Sequence, residues 1–361
     1  VGGSSDAYDE RKEEEMKAVI VPEPGAELEI WDVPDPKIGD YDVLVEQLTC
    51  GVCASTDREV MDGHFPGVDH YPTALGHEAV GRVIEMGPKV RNFKMGDLVL
   101  HAQLQKIEGD RDIGSAWGAY ADFGVATDGR AMLEDGHPDF DEFYLTQQTL
   151  PADMDPVEGT LLITFRETFS SLQQFGVAAN SSLLIFGDGP VGACLTRFAK
   201  LVGARPVIVA GHHDDRLQIA SRMGADYVIN TAKSDLQSLL HDVAPEGLDY
   251  VIDAVGRNEF MNQALPLLTN HGKFCIYGVA STQHLDFDWS RGPYHWTIEH
   301  MVFPTFLLEA AAHEPVLDWV RLGFIEPGSL ISHVFGMEEI SRVFELIERR
   351  EVFKGVIQIK N

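Results

Sequence analysis

The sequence predicts an α/β protein: a doubly wound parallel sheet covered by helices on both faces, joined to an irregular β-rich region. Three observations predict it. After Pro151, strand-like apolar runs alternate with segments of helical apolar spacing. Before Pro151, short strand-like runs are separated by Gly, Pro and Asp. With 361 residues, 44% hydrophobic and 24% charged, the chain is long enough for two domains with packed cores.

Strands are expected at 17–21, 42–46, 79–84 and 97–100. The stretch 103–144, rich in Gly, Asp and aromatics, is expected to be loop with a strand near 119–123. Then come a helix at 158–175, a buried strand at 182–186 and a helix at 191–202. A strand at 206–210, a helix at 216–223 and strands at 227–229, 248–253 and 273–279 follow. From about residue 296 the pattern returns to helix and a closing strand at 355–359. No repeat or low-complexity tract interrupts the chain. Residues 1–15 are polar and acidic, and are expected to be a disordered leader or tag rather than a signal peptide.

Lys and Arg number 28 against 57 Asp and Glu, a formal charge of −29. Such a surface repels nucleic acid and anionic membranes, so neither is expected as a partner. No apolar run is long enough to cross a bilayer. The four cysteines, Cys50, Cys53, Cys194 and Cys275, are too few for a disulfide framework. Reduced thiols and a cytoplasmic location fit them.

The strand ending Ile185-Phe186 runs into Gly187-Asp188-Gly189-Pro190-Val191-Gly192 and a helix. Gly187 permits the tight turn, Gly189 lets the backbone approach a pyrophosphate, and Gly192 lets the helix pack on the strand. The free amides at the helix start then face the phosphates. This context predicts a Rossmann-type dinucleotide site. At the tip of the next strand, NAD-binding folds place an acid on the adenosine ribose. Here the position is Gly211, followed by His212, His213, Asp214, Asp215 and Arg216. A glycine removes the carboxylate that would repel a 2′-phosphate, and His212, His213 and Arg216 can face that phosphate. NADP is therefore expected over NAD. The alternative keeps Asp214 or Asp215 as the ribose acid.

Two further motifs are Gly51-Val52-Cys53-Ala54-Ser55-Thr56-Asp57 and Gly76-His77-Glu78. Together with the glycine turn they resemble the zinc-type medium-chain dehydrogenases and reductases, over nearly all of residues 16–361. The resemblance implies a GroES-like catalytic domain and one catalytic zinc held by Cys53, His77 and Glu78, with Glu78 as ligand or alternate ligand. It implies that Ser55 or Thr56 passes the proton and that Asp57 buttresses the site. Thiolate, imidazole and carboxylate all suit zinc. By position, Val255, Gly256, Gly278, Val279 and Lys354 would meet the cofactor, Lys354 at the pyrophosphate.

The sequence departs from the family pattern in three places. The third zinc ligand of the family falls at Ile163, which cannot bind metal; Glu167, one helical turn on, is a substitute ligand, an acid near the nicotinamide, or simply the partner of Arg166. The loop before Asp57 is one residue longer than usual. Residues 101–123 hold no cysteine, so no four-cysteine structural zinc is expected there. Cys50 and Cys53 form a lone Cys-x-x-Cys, for which no redox role is expected beside the zinc reading.

These readings combine into a catalytic GroES-like domain of residues 16–156 and 301–361 and a Rossmann domain of residues 157–300. The expected activity is hydride transfer between NADP(H) and an alcohol or carbonyl, a polyol or sugar among the candidates, with one zinc. Trp117, Trp289, Tyr294, His295 and Trp296 are candidate cleft aromatics. The rivals are a zinc-free NADPH-dependent quinone- or enoyl-type reductase and a non-enzymatic NADPH-binding protein. A homodimer or homotetramer is expected from the resemblance.

Overall fold

Strand Leu183–Phe186 is buried along its whole length. Leu183 and Ile185 face one core, and Leu184 and Phe186 face another. This two-sided burial is why the segment reads as an unbroken apolar run. In a computed structural model, which describes residues 15–109, 112–279, 284, 286–301 and 303–360, this strand lies inside a six-stranded parallel sheet. The order is Tyr227–Asn230, Val207–Gly211, Leu183–Phe186, Leu248–Asp253, Leu268–Ile276 and Trp296–His300. The chain leaves Leu183–Phe186 toward Val207–Gly211 on one side and returns to Leu248–Asp253 on the other. A crevice opens at the carboxyl ends of the strands at such a switch point.

Helices Leu161–Phe175, Pro190–Leu201 and Phe306–Arg321 cover one face, and Leu236–Val243 and Glu259–Ala264 the other. Leu161–Phe175 ends at Gly176, whose left-handed φ of 86° closes the helix.

The remaining strands form two mixed sheets. The larger runs His333–Gly336, Gly355–Gln358, Asp42–Gly51, Glu78–Met86, Leu98–Leu100 and Thr149–Leu150, with Phe123–Thr127 also paired to Asp42–Gly51. The smaller runs Glu29–Pro34, Glu15–Val21, Thr73–Ala74 and Gly114–Ser115. Val356 opposes Gly51, so the chain's end is drawn back beside the Cys50-to-Cys53 segment.

Several expectations are corrected. Glu15 belongs to the first strand, and the rest of the expected leader lies outside the described residues. The strand expected near 119–123 is Phe123–Thr127, and the expected loop also holds a helix, Gly129–Glu134, started by the Asp128 carboxylate accepting from Ala131 N. The strand expected at 273–279 ends at Ile276, leaving Tyr277, Gly278 and Val279 as loop at its carboxyl end. Residues 296–300 are an edge strand, not helix.

Candidate active site

Strand Asp42–Gly51 delivers Cys53 to the N-cap of helix Ala54–Met61, with extended backbone at φ −96° and ψ 96°. Gly51 pairs with Glu78 on the neighbouring strand. A Cβ on Gly51 would lie 2.2 Å from Glu78 Oε2. The glycine of the first motif thus makes room for the acid of the second.

Asp57, one turn into the helix, is buried. Its Oδ2 accepts from the Tyr120 hydroxyl at 2.7 Å and from the Cys53 amide at 3.2 Å. Its Oδ1 lies 3.4 Å from Nδ1 of buried His77, too poorly aligned for a hydrogen bond, so both atoms are left without one. With Nδ1 turned toward Asp57, Nε2 is the nitrogen of His77 available to a metal. Burial pushes the Cys53 thiol up, but His77 outweighs that and holds it below its ordinary value. Burial would lower the His77 imidazole; Asp57 and Cys53 instead raise it well above the usual range.

Ligand atoms of Cys53, His77 and Glu78 lie within 4.8 Å of one another, and among the described residues they form the only such three-residue cluster of His, Cys, Asp and Glu. Glu78 is doubly held: Lys354 Nζ donates to Oε2 and Thr164 Oγ1 to Oε1, the latter at 3.2 Å. Lys354, expected at the pyrophosphate, is bonded to Glu78 here. The reason is the pairing of Gly355–Gln358 with Asp42–Gly51, which buries the ammonium against the carboxylate. Burial alone would raise the Glu78 carboxyl; Lys354 and His77 reverse this and hold it down.

Ile163 is wholly buried in the hydrophobic core, as expected of a position that has lost its ligand chemistry. Glu167 lines the cavity below Cys53 and His77. It is not the partner of Arg166, whose guanidinium is fully buried on the other side with Glu309 at 2.9 Å, Gln148 and the Thr146 carbonyl. Burial first, then Glu309, pushes the Glu167 carboxyl well above its usual range.

Ser55 is exposed and its Oγ lies 3.8 Å from Cys53 Sγ, whereas Thr56 is buried. Cys50 is buried with a thiol pushed up by burial, and both Cys50 and Cys53 are free thiols. Trp117 lies 5.1 Å from His77, flanked by Phe65 and Phe303. The other candidate aromatics sit elsewhere: Trp289 and Trp296 pack on Phe287, His295 stacks on His271, and Tyr294 is exposed.

One cavity of about 470 Å³ joins this cluster to the glycine turn, a size suited to a cofactor-sized ligand. The expected zinc donors, proton-passing residues, Glu167 and the expected cofactor-contacting residues all line it except Gly256. The Gly256 amide instead donates to Asp253 Oδ1, closing the turn after Leu248–Asp253 at φ 88°. The three glycines of the turn divide their work. Gly187 has a φ of 128°; a Cβ on Gly192 would lie 2.1 Å from the Gly187 carbonyl oxygen; around a Cβ on Gly189 there is nothing within 4 Å.

Gly211 ends its strand as expected, yet the space beyond it is filled. A Cβ there would meet the Asp188 side chain at 2.5 Å. Asp188, from the glycine turn, is the acid the sequence reasoning missed; its only signal was a carboxylate between two motif glycines. Arg216 is largely buried, donates to the Val352 carbonyl and lies over the Phe353 ring. Asp214 is exposed and held by Asn230 and Lys233, and neither it nor Asp215 lines the cavity.

A Rossmann sheet and a GroES-like β-rich unit meeting at a cavity with a thiol, an imidazole and a carboxylate define an oxidoreductase architecture. The family description "Alcohol dehydrogenase GroES-like domain" matches residues 39–133, and "Zinc-binding dehydrogenase" matches residues 190–319. A sorbitol dehydrogenase of Halalkalibacterium halodurans is 23% identical over 349 residues, covering 95% of this chain and 99% of the relative. An alcohol dehydrogenase of Geobacillus stearothermophilus is 27% identical, covering 96% and 99%. The structure of benzyl alcohol dehydrogenase from Acinetobacter calcoaceticus superposes with a TM-score of 0.79 at 19% identity, over 96% of this chain and 99% of that one. The chain belongs to the zinc-type medium-chain dehydrogenase family, and it is an oxidoreductase of the alcohol dehydrogenase type with zinc and a nicotinamide cofactor.

Proposed function

We propose that the protein transfers a hydride reversibly between a nicotinamide dinucleotide and an alcohol or carbonyl substrate, with one zinc at Cys53, His77 and Glu78. The observation that carries this reading is the clustering of those three donors in the cavity that also holds the glycine turn. The donor set fits zinc: a thiol held low, an imidazole with one free nitrogen, and a carboxylate whose oxygens each keep a lone pair beyond Lys354 and Thr164. Asp57 and Tyr120 support His77 from behind, as outer partners of metal-bound histidines do.

Bound there, zinc supplies Lewis acidity at the substrate oxygen and the nicotinamide gives or takes the hydride. Ser55, exposed beside Cys53, passes the substrate proton to solvent, which buried Thr56 is less able to do. Glu167 serves as an acid beside the substrate rather than as a third ligand, since it stands outside the three-donor cluster. Phe303 lines the cavity and packs on Trp117, which lies beside His77, and an alcohol carrying an apolar or aromatic group suits that side of the cavity better than a polyol.

For the cofactor, the reading as NADP rests on Gly211 with His212, His213 and Arg216 nearby. Asp188 favours NAD. We also propose the division into a catalytic unit of residues 16–156 and 301–361 and a dinucleotide unit of residues 157–300. A cytoplasmic location is supported by four free cysteines. Self-association as a dimer or tetramer is supported by strand Trp296–His300, which ends its sheet and offers an edge for pairing.

The test is zinc per chain by elemental analysis of the wild type, Cys53→Ser and Glu167→Gln. About one zinc, lost in Cys53→Ser and kept in Glu167→Gln with reduced turnover of alcohols, is the expected result. Zinc-free protein that still reduces quinones or enones would replace this reading with the zinc-free reductase. Dinucleotide binding without turnover of either class would favour the non-enzymatic one.

A further inference from the structure

Resting on the reading of the cavity as a nicotinamide dinucleotide site, we infer that Asp188 is the cofactor-selecting acid, moved from the strand tip into the glycine turn, and that it makes the enzyme prefer NAD(H). In the common arrangement the ribose acid projects from the end of the second strand. Here that strand ends in Gly211, and the Asp188 side chain occupies the volume a side chain at 211 would need, with Cβ and Oδ2 both 2.5 Å from the position of a Cβ there. Glycine at one position and aspartate at the other are a matched pair.

The carboxylate is also locked in place. Its Oδ2 accepts from the amides of His212 and His213, at 2.8 and 2.9 Å, and faces His213 Nδ1 at 3.0 Å. Its Oδ1 accepts no hydrogen bond among the described residues, which leaves a fixed acceptor for ribose hydroxyls on the cavity side. Burial would raise this carboxyl, but the His213 and His212 amides and the His213 ring hold it below the usual range, so it is an anion at neutral pH.

Those same donors are the groups that an incoming 2′-phosphate would need. The two amides stand at the start of helix Asp214–Arg222, and Asp188 has already taken them. A 2′-phosphate would meet a negative charge and find its donors spent. Arg216, also on the cavity, is already engaged: its guanidinium donates to the Val352 carbonyl, lies over the Phe353 ring and is drawn by the Asp188 carboxylate.

Titration of NADH and NADPH by their nicotinamide fluorescence tests this without turnover, in wild type, Asp188→Ser and Asp188→Asn, with thermal melts alongside. Wild type should bind NADH tighter than NADPH on the order of 100-fold, the worth of one charge-assisted acceptor lost and one repulsion gained. Asp188→Ser should cut that preference at least about tenfold, mainly by tighter NADPH binding to the freed amides. If Asp188→Ser melts early, Asp188→Asn, which keeps the side chain's shape without its charge, should show the same direction of change. Wild type binding NADPH as tightly as NADH, or a preference unchanged in both variants, would overturn the inference and leave the dinucleotide reading standing. Binding of neither nucleotide would overturn both.

Discussion

Lys354→Met removes the ammonium that donates to Glu78, and its cost follows from burial. The two side chains are 5% and 3% exposed, and Lys354 Nζ donates directly to Oε2. Breaking a buried pair by deleting one partner costs about 3–5 kcal/mol, because the remaining charge is stranded. Thr164 still donates to Oε1, so we expect the lower end, about 3 kcal/mol. Methionine fills a similar volume, which keeps cavity formation out of the number. The assay is urea denaturation of chelator-treated protein for wild type, Lys354→Met, Glu78→Gln and the double variant. The double variant should recover much of the loss, with a coupling of about 2 kcal/mol. A coupling below about 0.5 kcal/mol would refute the idea that this pair, rather than packing around it, holds the acid in place.

Three other outcomes follow from the geometry. Gly189→Ala should melt like wild type yet weaken dinucleotide binding about tenfold or more by fluorescence titration, because its Cβ points into open cavity; Gly192→Ala should lose stability outright, its Cβ meeting a backbone oxygen at 2.1 Å. Asp57→Asn should lower zinc affinity about 10- to 100-fold in a chelator competition, since Asp57 faces His77 Nδ1 and anchors the Cys53 amide. Burial, with Arg166 close by, pushes the His313 imidazole down to about 3, so it is neutral in the fold and protonates first in the unfolded chain. Its stability contribution is present above the unfolded value near 6.5 and is lost as pH falls toward 3, at about 1.4 kcal/mol per unit. On going from pH 7 to 5, His313→Gln should therefore lose roughly 2 kcal/mol less stability than wild type in denaturation curves.

What the sequence revealed was local. The glycine turn lies within six residues flanked by a strand and a helix, so backbone rules suffice to read it. Cys53 and Asp57 are one helical turn apart, and their contact through the Cys53 amide is likewise local. What it hid depended on distance. Lys354 and Glu78 are separated by 276 positions, and only the antiparallel return of Gly355–Gln358 brings them together. Helix Ala54–Met61 was not legible because Ser55, Thr56 and Asp57 are weak helix formers, and the helix is stabilised instead by its buried face of Thr56, Asp57, Val60 and Met61. Strand Trp296–His300 was read as helix because its alternation, Trp-Thr-Ile-Glu, spans only four residues and neither of its faces is fully buried.

The missing ligand at Ile163 is intelligible from the charges around it. Cys53, Asp57 and Glu78 bring three acidic groups into one buried site, and Lys354 is the one permanent cation paired there. A divalent ion held by Cys53, His77 and Glu78 would offset the remainder, which would give zinc an electrostatic role besides its chemical one. A further carboxylate at 163 would exceed that balance, and position 163 instead fills the core. Glu167, one turn on, shows the consequence of adding such a group: with no cation bonded to it among the described residues, burial and neighbouring acids drive it toward the protonated form. An acid held in that form is poor as a ligand and well suited to donate a proton, which supports the proposed roles of Glu78 as zinc ligand and Glu167 as an acid beside the substrate.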